Sequence, residues 1–108
     1  MNVLFVCSRN QWRSPTAERV FRNFEGLQVR STGTSPNARR TVNESDVEWA
    51  DVIFAMEKKH RSRLLAEFGP ATGGKQVHVL DIPDEYQFMD PDLVALLRDS
   101  VGAILAQY

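Results

Sequence analysis

The chain has 108 residues, 43% of them hydrophobic, which suffices for the core of one domain spanning residues 1–108. Its 13 basic and 14 acidic residues nearly cancel, so no global field draws it to nucleic acid or to a membrane surface. The single cysteine, Cys7, excludes an internal disulfide and a cysteine metal cluster and suits a reducing, cytoplasmic setting, while the apolar start "VLFV" is too short for a signal-peptide core or a membrane span.

Residues 3–6 form a continuous apolar run, as expected of a strand covered on both faces. "SPTAERVFRNFEG" reads as a helix with Ser14 as N-cap, Pro15 in the first turn and Gly26 past the end; Val20, Phe21 and Phe24 make its apolar face. "LQVRST" is the second strand, closed by Gly33. "TVNESDVEWA" reads as a short helix capped by Asn43 or Thr41, with Trp49 closing the core, and "DVIFAM" as the third strand. "EKKHRSRLLAEF" is an amphipathic helix with Leu64, Leu65 and Phe68 inward, in which His60 and the "KKHRSR" run read as a solvated face. "GPATGG", residues 69–74, reads as an exposed loop. "QVHVL" is the fourth strand, and a last helix starts at Asp90-Pro91.

This alternation implies parallel βαβ units, hence an α/β, single three-layer domain with a four-stranded parallel sheet and helices on both faces. Ligands in such sheets sit beyond the carboxyl ends of the strands, and Cys7 closes the first strand.

Residues 7–14, "CSRNQWRS", therefore join a strand to a helix start. Backbone N–H groups there are able to converge on an anion. Arg13 adds a planar fork for two phosphate oxygens. The same dipoles favour an anionic sulfur on Cys7, and Ser14 is within reach to hydrogen-bond it. Together these describe a nucleophile set to receive a phosphoryl group. The plainer reading makes Cys7 a small core residue and Arg13 a solvated helix residue. The strand before, the helix after and the Ser-Pro pair favour the functional reading.

"VLFVCSRNQWRSPTAE" resembles the low-molecular-weight protein tyrosine phosphatases, whose loop reads C-x5-R-S-P at this place, and the chain reads as a short variant of that family. "STGTSP", "ARRTVNESDVEWADVIFAMEKKHRSRLL" and "DIPDEY" are similar to later segments of the family in the same order. The resemblance implies a phosphotyrosine protein phosphatase I-like fold and a cysteine-dependent, metal-independent phosphomonoesterase acting on phosphotyrosine or a related aryl phosphate. Cys7 would attack phosphorus and form a phosphocysteine. The amides of Ser8, Arg9, Asn10, Gln11, Trp12 and Arg13, with the Arg13 guanidinium, would hold the phosphoryl oxygens. Asn10 and Ser31 would brace the loop, Asn10 tolerating a left-handed backbone, and Ser14 would tune the thiol. Asp84 would be the general acid and then the base. Asp81, Asp90 and Asp92 are alternatives, of which Asp90 is better explained as a helix cap. Arg9 and Tyr86 would form the substrate rim, Tyr86 as pocket wall or as loop anchor. No metal or other cofactor is implied. The partner would be a phosphorylated protein or a small phosphomonoester, and the protein itself a monomer or weak dimer.

Three departures from the family bear on this. Arg9 replaces a glycine, which costs about 1–2 kcal/mol if the position needs a positive φ, and otherwise adds a cation that favours acidic substrates. Trp12 replaces a second cysteine, so an oxidised Cys7 would need an external thiol, and Trp12 itself is expected to pack rather than to face substrate. The recognition segment between "GTSP" and "ARRTV" is nearly missing, which predicts shallower surroundings. Alternative functions are an arsenate reductase using an external thiol, a phosphocysteine carrier, and a non-catalytic phosphate- or phosphopeptide-binding module. Asp84 and Arg13 argue against the carrier.

Overall fold

The computed structural model describes all residues 1–108. Eight elements follow in order: β1 Asn2–Cys7, α1 Arg13–Phe21, β2 Gln28–Gly33, α2 Glu44–Trp49, β3 Val52–Ala55, α3 Lys58–Thr72, β4 Gln76–Val79 and α4 Pro91–Leu105. The four strands form one parallel sheet in the order β2-β1-β3-β4. β1 is central, which is why its apolar run does not alternate with polar residues.

Alternation along β1 instead divides two cores. Val3, Phe5 and Cys7 face one side, packed with Phe21 of α1 and with Leu93, Leu97 and Val101 of α4. Leu4 and Val6 face the other, with Val47 of α2 and Leu64 of α3. Phe5 stacks between Phe21 and Phe54, with ring centroids 5.9 and 5.5 Å away. Burying one such side chain is worth roughly 1.5–3 kcal/mol, so β1 is the best-anchored element of the molecule. The register sets Cys7 beside Gly33 and Val6 beside Ala55, so β1, β2 and β3 end together at one edge.

Helix ends follow local chemistry. Asn43 caps α2 by accepting from the Asp46 N–H, and Asp46 returns a bond to the Asn43 N–H. Asp90 caps α4 ahead of Pro91. Three expectations need correction. α1 stops at Phe21; Phe24 lies in the following turn, largely exposed, before Gly26 reverses the chain at φ 81°. Leu65 points outward, because the inward stripe of α3 runs through His60 and Leu64. The stretch 69–74 is not all loop: α3 kinks at Phe68 and continues to Thr72, with Pro70 in the restarted turn, where its missing N–H does no harm. Only Gly73 and Gly74 leave the helix. No helix is long and apolar enough to cross a membrane.

Candidate active site

The site is built on the edge where β1 stops. Cys7 ends the strand 3% exposed, and six residues later α1 begins at Arg13. Between them the chain turns tightly, with Asn10 in the left-handed region at φ 54°, a conformation that asparagine tolerates. Arg9 is not in that region, so its side chain brings no backbone strain.

A second segment, residues 34–39, props the loop from outside. The N–H groups of Thr34, Ser35 and Arg39 donate to the carbonyls of Cys7, Ser8 and Arg9 at 2.9–3.0 Å, and the Arg39 Nε donates to the Asn10 carbonyl at 3.0 Å. The carbonyls of residues 7–10 are thus engaged, whereas the amides of Ser8, Arg9, Asn10, Gln11 and Trp12 donate to no protein acceptor. A run of free amides beside a helix start is a ready anion site. Gly33 makes the arrangement possible: a Cβ there would lie 2.5 Å from the Ser8 carbonyl oxygen and 2.9 Å from the Asn10 nitrogen.

Ser14 is not an N-cap. α1 starts one residue earlier, after Trp12, without a side-chain cap, because the Ser14 hydroxyl is used elsewhere. It lies 3.0 Å from the Cys7 Sγ, accepts from the Asn10 Nδ2 at 2.9 Å and is 3.1 Å from the Thr32 carbonyl. Its one proton therefore has two candidate acceptors, Cys7 and Thr32. The Asn10 Nδ2 also donates to the Ser31 hydroxyl at 3.0 Å, and Ser31 donates on to Glu18. Asn10, Ser14 and Ser31 are all fully buried, so the network is screened from water and well defined.

Arg13 is 2% exposed, and a buried guanidinium requires partners. Its Nη1 donates to the Glu57 carboxylate at 2.6 Å and to the Ile82 carbonyl at 2.8 Å. The Nε side is left toward Asp84, whose Oδ1 is 3.7 Å away. Asp84 is half exposed on the loop after β4, which Asp81 turns at φ 55° and the Ile82 N–H fastens to the Met56 carbonyl. Cys7, Arg9, Gln11, Trp12, Arg13 and Asp84 line one cavity of ≈ 90 Å³.

One sequence expectation fails at this cavity. Trp12 is 41% exposed and forms part of its wall instead of packing into the protein; the loop ends there and the cores lie on the far side of the sheet edge. Of the two roles left open for Tyr86, the loop anchor is the one that fits: it does not line the cavity and packs, partly buried, against the core. Asp81 faces a separate surface hollow beside Glu57, Lys58, Lys59 and Pro83.

Sequence reasoning missed Glu57 and misread His60. Burial pushes the Glu57 carboxyl up, but the hydrogen bond and charge of Arg13, with smaller help from Lys59 and His60, hold it below its ordinary value. His60 is 1% exposed, not a solvated helix residue. Its Nδ1 accepts from the Glu57 N–H at 3.1 Å and its Nε2 lies 2.8 Å from the Ser8 hydroxyl. Burial first, then the Arg13 charge, lower it to about 4 against the pull of Glu57. A signal for His60 was available: it stands one turn before Leu64 on the inward stripe.

No family model matches the chain. It is 32% identical to a protein-arginine-phosphatase of Bacillus subtilis across 64% of this chain and 64% of the relative, a little under two thirds of that protein's length. Among solved structures, Wzb from Vibrio vulnificus, in complex with benzylphosphonate, superposes with TM-score 0.81 at 21% identity, covering 99% of this chain and 98% of the other. A YwlE mutant from Bacillus subtilis gives 0.66 at 25% identity, covering 99% and 95%. Relatives with this fold thus span nearly the whole length of the chain, which has the fold of the low-molecular-weight protein tyrosine phosphatases and is similar in sequence to a phosphatase over part of its length.

Proposed function

We propose that this protein is a cysteine-dependent phosphatase acting on phosphorylated protein side chains. The observation that carries this is a single cavity walled by Cys7, Arg13 and Asp84, beside a loop whose amides have no protein acceptor. The phosphoryl group enters with its oxygens toward the amides of Ser8 to Trp12 and the free edge of the Arg13 guanidinium. The Cys7 Sγ attacks phosphorus; an S–P bond forms as the bond to the leaving atom breaks. Asp84 gives that atom its proton. Water then attacks the phosphocysteine, Asp84 takes a proton from it, and inorganic phosphate leaves with the S–P bond broken. Each step uses side chains already around the cavity. The Ser14 hydroxyl turns its proton toward the sulfur when the sulfur carries charge, since Thr32 is its only competitor for that proton.

Trp12 favours an aryl phosphate, its exposed face on the cavity wall being suited to the ring of phosphotyrosine. A second reading is phosphoarginine, favoured by the 32% identity to a protein-arginine-phosphatase. Either reaction needs the same nucleophile and acid.

Paired peptides carrying phosphotyrosine or phosphoarginine in one sequence test this, with para-nitrophenyl phosphate as the general substrate. Turnover without added metal that is abolished by Cys7→Ser and cut by Asp84→Asn supports the mechanism, and the ratio between the two peptides assigns the substrate. A folded, reduced protein that binds phosphate but turns over none of the three is a binding module, and the proposal fails.

A further inference from the structure

The first turn of α3 touches the anion loop at both ends. Arg13, its last residue, is held by the Glu57 carboxylate at 2.6 Å. Ser8, the residue after the nucleophile, is held by His60 at 2.8 Å. Those contacts span 44 and 52 residues of sequence and come from positions 57 and 60 of one turn.

The direction of the His60 contact follows from geometry. The Nδ1 accepts the Glu57 N–H, so that nitrogen carries no proton. A neutral imidazole then has its proton on Nε2 and donates it to the Ser8 Oγ. Ser8 is gripped from the other side as well, its carbonyl accepting from the Ser35 N–H at 2.9 Å. Side chain and backbone of Ser8 are therefore each held by a separate partner, which restrains the amide that follows Cys7.

We infer that His60 is a positioning residue: through its Nε2–H bond to Ser8 it holds the start of the loop in the shape that receives an anion, as Glu57 does for the end. It touches no substrate. This rests on the reading of the cavity as a phosphoryl site, so binding is measured apart from turnover.

Inorganic phosphate is titrated into the parent and into His60→Phe, His60→Gln, Ser8→Ala and the Ser8→Ala/His60→Phe pair. The backbone amide resonances of residues 8–13 are the readout, with thermal unfolding and the kcat and KM for para-nitrophenyl phosphate beside it. Glutamine offers an N–H near the position of the imidazole Nε2; phenylalanine fills the space without one. Losing this bond weakens phosphate binding roughly tenfold in both His60→Phe and Ser8→Ala. The double variant is no weaker than either single one, and His60→Gln stays within about threefold of the parent. A residue that served stability alone would lower the melting temperature without this pattern. Phosphate binding by His60→Phe equal to the parent's overturns the inference, as does a double variant that loses the product of the two single effects. Should His60→Phe not fold, Ser8→Ala against His60→Gln decides: an unaltered Ser8→Ala refutes it. A parent that binds phosphate without hydrolysing ester, with the same order among variants, supports the clamp while removing the hydrolase reading.

Discussion

Replacing His60 with glutamine removes a titration that the fold suppresses, and the effect is large enough to measure. The unfolded imidazole takes a proton near pH 6.5, whereas the folded one does so only near about 4. Above pH 6.5 both states are neutral and the native state has its full stability. As the pH falls the unfolded chain binds a proton that the native state refuses, so stability declines until the folded group also protonates near pH 4. At pH 5, 1.5 pH units below the unfolded midpoint, the loss is about 2 kcal/mol, from about 1.36 kcal/mol per pH unit. Urea unfolding of parent and His60→Gln at pH 7 and pH 5 isolates it, because contributions from the other groups are shared by the two proteins. The parent is expected to lose about 2 kcal/mol more than the variant between these pH values. Equal losses would refute the claim that His60 is buried neutral.

Further outcomes are expected. Glu57→Gln leaves the Arg13 guanidinium with the Ile82 carbonyl and only the half-exposed Asp84, 3.7 Å away, as counter-charge, costing roughly 1–3 kcal/mol of stability in chemical denaturation and weakening phosphate binding. Gly33→Ala drives a methyl against the Ser8 carbonyl and the Asn10 nitrogen; about 1–3 kcal/mol of destabilisation accompanies a loss of turnover in steady-state assays. Trp12→Ala raises KM for an aryl phosphate relative to a small alkyl phosphate, and equal changes for both would remove the wall from the account of specificity. Arg9→Gly reduces the preference for peptides with acidic residues beside the phosphorylated one, read as a ratio of kcat/KM values; an unchanged ratio denies Arg9 that role.

The sheet was readable because each strand is a short apolar run between turn residues, and the caps Asn43 and Asp90 act within three residues of themselves. The cysteine loop was readable for the same reason: strand, turn and helix start lie within 14 residues. What escaped the sequence is held together across long separations. Glu57 meets Arg13 over 44 residues, and nothing beside Glu57 in the chain announces a guanidinium. His60 was hidden by its neighbours, since Lys58, Lys59 and Arg61 make the segment look solvated, although the spacing to Leu64 turns it inward. The end of α1 and the extension of α3 were misjudged because Phe24 and Pro70 are weak markers, overruled by where the cores have room. Trp12 was misplaced by its apolar character, which says nothing of the surface on which a loop leaves it.

Helix ends are ordinarily the first parts of a fold to open, and their fraying has little effect elsewhere. In this protein the end of α3 is the part that grips the loop around Cys7. Release of that turn removes two of the contacts that shape the loop, leaving it to the bonds from residues 34–39. The order of the loop then depends not only on the buried strand that carries the cysteine but also on the first turn of a helix packed on the other face of the sheet.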